Sequence, residues 1–127
     1  MAKTASAAVL PTTVAAQAAA TVTVTATNND SDAYITAVRP KCYPTGLSMA
    51  AGCACAIGNS PTSLTSGSGL LVAGSGGTNT VAFGVNVFVP QGASAANQTW
   101  VVGADLYWST GEVTAASTAN LTVTHMP

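Results

Sequence analysis

Apolar and polar residues alternate with a period of two along much of this chain. Val81, Phe83, Val85, Val87 and Val89 form one such run, and Trp100, Val102, Ala104, Leu106 and Trp108 form a second. A third, from Val113 to Val123, is rich in Thr and ends in Leu121-Thr122-Val123. Residues 20–27, ATVTVTAT, alternate most cleanly, with Val22, Val24 and Ala26 on one side and threonines on the other. A period of two with β-branched and aromatic enrichment predicts strands with one buried face. The 81–89, 100–108 and 113–123 runs together predict a meander, with Ser109-Thr110-Gly111 as a hairpin turn between the last two. Asn28-Asn29-Asp30-Ser31-Asp32 is a turn of residues that bond their own backbone, and Ala33 to Val38 returns as a strand, predicting a hairpin with 20–27. Trp100, Val102, Leu106, Phe83, Val85 and Val22 are expected to share one interior.

Two stretches lack this order. Residues 1–19 show neither helical nor strand periodicity, and Pro11-Thr12-Thr13-Val14 interrupts the alanines. They predict an extended N-terminal arm with a short first strand around Ala8 to Val14. Deleting residues 1–18 is therefore expected to leave the domain folded while weakening attachment to a partner. In residues 39–77, Arg39-Pro40-Lys41 is expected to end the strand. Gly and Pro punctuate the rest of that stretch, apart from a short strand at Gly69 to Ala73. So long an insertion is a place for contacts particular to the protein. With 127 residues there is room for one core. The organisation expected is an arm (1–19) and a β-sandwich domain (20–127) with an irregular insertion (39–77).

Composition sharpens the picture. Only seven side chains are charged, 6% of the chain: Lys3, Arg39, Lys41, Asp30, Asp32, Asp105 and Glu112. Globular domains carry about 25%. Ala, Thr, Val, Ser and Gly in place of Leu, Lys and Glu favour an all-β domain. So neutral a surface is poorly defended against association, and much of it is expected to be covered by partners or neighbouring copies. No basic cluster exists to neutralise phosphates, which argues against nucleic acid as a partner. No apolar run has the length of a membrane span. The first twenty residues superficially resemble a signal peptide, but Pro11 follows Val9-Leu10 too soon for a secretory core, so a mature, cytoplasmically made chain is expected.

Candidate chemistry is sparse. Cys42, Cys53 and Cys55 all lie in the insertion. Zinc would need a fourth ligand, and the single histidine, His125, is distant in sequence. Buried thiols and one disulfide from Cys42 to either Cys53 or Cys55 both fit. Asn28, Asp30 and Asp32 have alternate spacing but lack the Gly and distal Glu of a calcium loop, so a turn is preferred. Asp105 lies mid-strand opposite the tryptophan face, exposed or paired with Lys or Arg, and Glu112 lies at a turn. They are too isolated to work as a carboxylate pair. Asn97-Gln98-Thr99 and Asn120-Leu121-Thr122 match glycosylation acceptors, which matter only on a secretory route. No catalytic, cofactor-binding or metal-binding residue is assigned, and the chain is not expected to be an enzyme.

TVTVTATNNDSDAYITAV (21–38) and TWVVGADLYWSTGEVTAASTANLTV (99–123) resemble the opening and closing strand pairs of an immunoglobulin-like antiparallel β-sandwich. The resemblance covers residues 20 to 124. The antibody-type cysteine pair is missing and Trp100 and Trp108 do not stand in a Cys-Trp-Cys arrangement, which sets the chain apart from antibody domains. Small, uncharged, Thr/Ala/Gly-rich sandwiches with N-terminal arms are similar to the capsid decoration (cement) proteins of tailed bacteriophages. That resemblance implies a virion structural protein on the capsid surface, bound to the major capsid protein and to neighbouring copies of itself, as in a trimer. The contacts expected are Val9, Leu10, Pro11 and Val14 of the arm and Tyr43, the single aromatic of the insertion. The alternative is an immunoglobulin-like module binding host surfaces or glycans, on a virion or a bacterial surface.

Overall fold

The computed structural model describes residues 3–15, 18–44, 54–58, 69–88 and 98–124. All regular structure among them is β. The strands are β1 (Lys3–Leu10), β2 (Thr13–Ala15), β3 (Ala19–Asn28), β4 (Ala33–Pro44), β5 (Ala54–Gly58), β6 (Leu70–Val72), β7 (Gly77–Phe88), β8 (Gln98–Trp108), β9 (Val113–Ala115) and β10 (Ala119–Thr124). One sheet has four strands in the order β1-β3-β7-β5. The other has six, in the order β2-β10-β8-β4-β6, with β9 also on β8.

The alternation in sequence is the alternation in burial. Val22, Val24 and Ala26 of β3, Val81 to Val87 of β7 and Trp100 to Trp108 of β8 send every second side chain into one apolar cluster between the sheets. Phe83, Val85, Val22, Trp100, Val102 and Leu106 all belong to it, as the pattern predicts. Each fully buried Val, Leu or Phe among them contributes about 1.5–3 kcal/mol. The short strand expected at 69–73 is β6. Val89 lies outside the described residues.

Pairing departs from the sequence reading in four places. First, β3 and β4 do not form a hairpin: β3 lies between β1 and β7, while β4 lies between β8 and β6 in the other sheet. The intervening turn has the expected chemistry, with the Asp30 N–H donating to Asn28 Oδ1 at 2.9 Å. The fully buried Asn28 amide also donates to the carbonyls of Ser31 (2.7 Å) and Val72 (3.0 Å), which carries the chain from one sheet to the other. Gly74 fits against this corner where a Cβ would stand 2.2 Å from the Asp30 carbonyl oxygen. Second, β7 and β8 also lie in different sheets, so no three-stranded meander forms: β9 and β10 pair one after the other along the same edge of β8, as the interrupted second arm of one hairpin.

Third, Arg39-Pro40-Lys41 does not end β4, which stays in register with β8 as far as Pro44. Its pairing with β6 covers only Ala33 to Ile35. Beyond the irregularity between Ile35 and Ala37, the outer edge of β4 has no ladder partner among the described residues, and proline is tolerated on such an edge. Fourth, residues 3–15 are strands of the domain and not an arm leaving it. β1 pairs antiparallel with β3 over its whole length, and β2 pairs in parallel with β10. The chain changes sheets at Leu10-Pro11, a cis peptide. On the other edge of β1, Ser117 donates to the Ala5 carbonyl and accepts from the Ala7 N–H, closing the two sheets against each other.

Candidate interaction surfaces

One end of the molecule is closed by an ionic cluster. Lys3, at the start of β1, sits among Asp30 of the β3–β4 turn, Glu112 of the β8–β9 turn and the ring of Trp108. Its Nζ is 3.0 Å from Asp30 Oδ2, ion-paired with Glu112 Oε1, and 5.5 Å from the indole centroid. Only 8% of Lys3 is exposed. The hydrogen bonds that it donates to Glu112 and then to Asp30 raise its pKa above the ordinary lysine value. The same ammonium holds both carboxyls below their usual range. An amine stabilised as a cation is neither nucleophile nor base at neutral pH. The cluster therefore acts as a clamp on the first strand. Its members are 27 and 109 residues apart, so no local spacing in the sequence signals it.

Toward the other end, a disulfide joins Cys42 of β4 to Cys55 of β5, with an S–S distance of 2.11 Å. It links the six-stranded sheet to the four-stranded one. Closing a loop of this length stabilises by about 3 kcal/mol in the chain-entropy account. Cys53 lies outside the described residues, as does His125. No group of three His, Cys, Asp or Glu suited to a metal occurs among the described residues.

The outer faces of the two sheets differ sharply. On the four-stranded sheet the outward rungs run Thr4-Thr27-Thr78, Ser6-Thr25-Thr80, Ala8-Thr23-Ala82 and Leu10-Thr21-Gly84. These rungs carry no charged side chain and no aromatic ring. On the six-stranded sheet the outward rungs between β4 and β8 are Tyr43-Val101, Lys41-Gly103, Arg39-Asp105 and Ala37-Tyr107, and Tyr34 lies beside Leu71 of β6. All three tyrosines of the chain lie on this face. Exposed Val113 adjoins Tyr107 from β9. Asp105 is paired as expected, its Oδ1 accepting from Lys41 Nζ at 2.8 Å. Arg39 is exposed and has no ion pair among the described residues.

The residues expected to touch a partner are divided by the fold. Val9 and Val14 face the core, 3% and 7% exposed, and are not available to a partner of the folded chain. They are the inward members of β1 and β2, whose alternation is masked in sequence by alanine on both sides. Leu10 and Pro11 are exposed where the chain changes sheets, and Tyr43 is exposed on the six-stranded sheet. Nothing brings these three together as one patch. The tyrosine face was hidden in the sequence because Tyr107 lies on another strand, and Tyr34 and Tyr43, an odd number of positions apart on β4, share a face only through the irregularity at Ile35/Ala37. Compared with protein families, curated proteins and solved structures, the chain matches none of them.

Proposed function

We propose that this chain is a non-enzymatic structural protein of a virion, one that decorates and reinforces a phage head shell by lying across its major capsid protein subunits. The observation that carries the reading is the outer face of the four-stranded sheet. Its rungs of Thr, Ser, Ala and Gly present short hydroxyls and methyls in register and no charge. Covering such a surface requires no ion to be desolvated, and the hydroxyls can exchange water for partner backbone groups. The exposed Leu10 at its border supplies an apolar contact, being 71% accessible. Repetition over many symmetric copies turns modest attachment per copy into reinforcement of the whole shell.

We read the topology as immunoglobulin-like. In support, β1-β3-β7-β5 corresponds in position to strands A-B-E-D, and β10-β8-β4-β6 to G-F-C-C′. One departure marks the chain: β5, in the D position, precedes β6, in the C′ position, whereas the immunoglobulin order is the reverse. The Cys42–Cys55 bridge ties down the strand that makes this early crossing. A host-surface or glycan-binding module is the second reading, favoured by the gathering of all three tyrosines on one face.

The test is occupancy on a purified icosahedral particle from the cells that produce this chain, measured across a sodium chloride series. Uncharged attachment is expected to persist to ~0.5 M salt, because screening acts only on the charged share of binding. Sulfate is expected to strengthen it. Loss of tenfold or more over that range, or failure to co-sediment at all, would overturn the reading. Saturable binding of soluble glycans, lost in Tyr43→Ala, would support the second.

A further inference from the structure

From the register of β4 against β8, we infer that the outer face of the six-stranded sheet is self-complementary and pairs with the same face of a second copy of this chain. Along this pair of strands the outward rungs set unlike partners side by side: Tyr43 beside Val101, Arg39 beside Asp105, and Ala37 beside Tyr107. A two-fold axis lying over the face, parallel to the strands and midway between them, exchanges the two strands and keeps each rung at its own level. Every β4 residue then faces its own β8 neighbour from the other copy. Tyr43 stands over Val101, Tyr107 over Ala37, and Arg39 over Asp105, each contact occurring twice. Large side chains meet small ones, and the opposite charges meet at the middle of the face. An isologous interface requires this: a patch that complements itself under rotation. The hydroxyl face has no charges to pair in this way and no aromatic side chain to set over a small one.

The charges also indicate a second copy. Among the described residues Lys3 is paired with Asp30 and Glu112, and Lys41 with Asp105, while Arg39 has no counter-ion. The Asp105 carboxylate receives Lys41 on Oδ1, and its Oδ2 has no bond among the described residues. The second copy supplies a guanidinium to that oxygen and a carboxylate to Arg39. Tyr and Arg are the residues on which protein interfaces most depend. Two twisted sheets stack face to face with strands within about 30° of one another, which keeps the central rung aligned and lets the outer ones splay. The resulting dimer leaves both hydroxyl faces pointing outward. It does not rest on attachment to a shell.

Sedimentation of the isolated full chain tests this over ~5 to ~500 µM, the range suited to an interface at the small end of stable protein contacts. The wild type is expected to pass from monomer to dimer. Arg39→Asp sets a second carboxylate against Asp105 at both contacts, and Asp105→Arg sets two guanidiniums together at both. Each variant alone is therefore expected to remain monomeric across the range. Mixed in equal amounts, the two restore opposite charges, and a heterodimer is expected. Thermal melts of each variant, matched to the wild type, show that the fold is intact. Arg39 is exposed, so its substitution tests the idea even if Asp105→Arg disturbs Lys41. A wild type that stays monomeric at the highest concentration, a wild-type dimer indifferent to Arg39→Asp, or a mixture of folded variants that stays monomeric would each overturn the inference.

Discussion

The outer faces of the two sheets obey the same alternation and share one interior, yet one is a field of hydroxyls and the other carries all the tyrosines and three of the seven charges. The inner half of each strand is under a single demand, to exclude water at close-packed density. Val therefore recurs on both inner faces, with Phe83 added on the four-stranded sheet and Ile35, Trp100, Leu106, Trp108 and Leu121 on the six-stranded one. The outer half is released from that demand, so its composition reports what the surface meets. A chargeless face suits a broad, undemanding cover, whereas a face with paired charges and aromatic rings suits one partner in one orientation.

The largest effects should come from crossing between the inner and outer halves. Val85→Asp beneath the hydroxyl face and Val102→Asp beneath the tyrosine face should each cost more than about 3 kcal/mol, by burying an unpaired carboxylate. Thr23→Asp and Ala37→Asp, on the outer faces above them, should stay within about 0.5 kcal/mol of the wild type in denaturant melts. Equal damage from inner and outer substitutions would mean that the faces are assigned wrongly. Removing residues 1–18 should also unfold the isolated domain. It strips the β3 edge of its ladder and takes Val9 and Val14 from the core. A truncated chain with an unchanged thermal transition would restore the detachable arm.

Next in size is the bridge that ties the sheets together. Reducing Cys42–Cys55 should lower stability by about 3 kcal/mol, with Cys42→Ser showing the same loss without reductant. A reductant-insensitive melt would show that the core alone holds the two faces in place.

The acid limb of stability should be smaller and more specific. Asp30 and Glu112 have depressed pKa values through Lys3, so they favour the folded state above the ordinary carboxylate range and lose that effect as pH falls through it. Lys3 has a raised pKa, so its share is present below its ordinary value and lost only in strong alkali. Lys3→Met should flatten both limbs, losing less stability than the wild type between about pH 7 and pH 3. Parallel pH profiles for the two proteins would remove the clamp.

Smallest of all should be the response of the hydroxyl face to its own chemistry. Thr25→Ser keeps the hydroxyl and removes a methyl at a half-exposed position. It should change folding by less than about 0.5 kcal/mol, while Thr25→Lys should reduce occupancy on a shell without altering the melt. Undiminished occupancy of Thr25→Lys would move the attachment surface elsewhere.

Much of this was legible in the residues themselves. Alternation named the strands of the core, and Asn28 to Asp32 named its own turn, because side-chain direction and turn chemistry are local properties of a chain. Asp105, predicted as exposed or paired with a cation, has Lys41 beside it. Pairing was another matter. The same Asx turn serves a hairpin or a crossing between sheets, and only the buried amide of Asn28, bonded to the Val72 carbonyl 44 residues away, distinguishes them. Likewise Pro40 reads as a strand end until β4 is seen to run along an edge with no ladder partner among the described residues, and Ala-rich β1 shows no pattern until β3 and Ser117 lie beside it.

Local pattern and composition dictate an all-β chain, the inward-facing residues of β3, β7 and β8, and a surface with almost no charge. Those follow from the period of two and from composition, which depend on neighbours one or two residues away. Tertiary structure alone decided which strands share a sheet, which cysteine Cys42 joins, that Lys3 is held by two distant carboxylates, and that three scattered tyrosines share a face. Each of these brings together groups separated along the chain, and the free energy that selects them exists only once both sheets have closed over the same core.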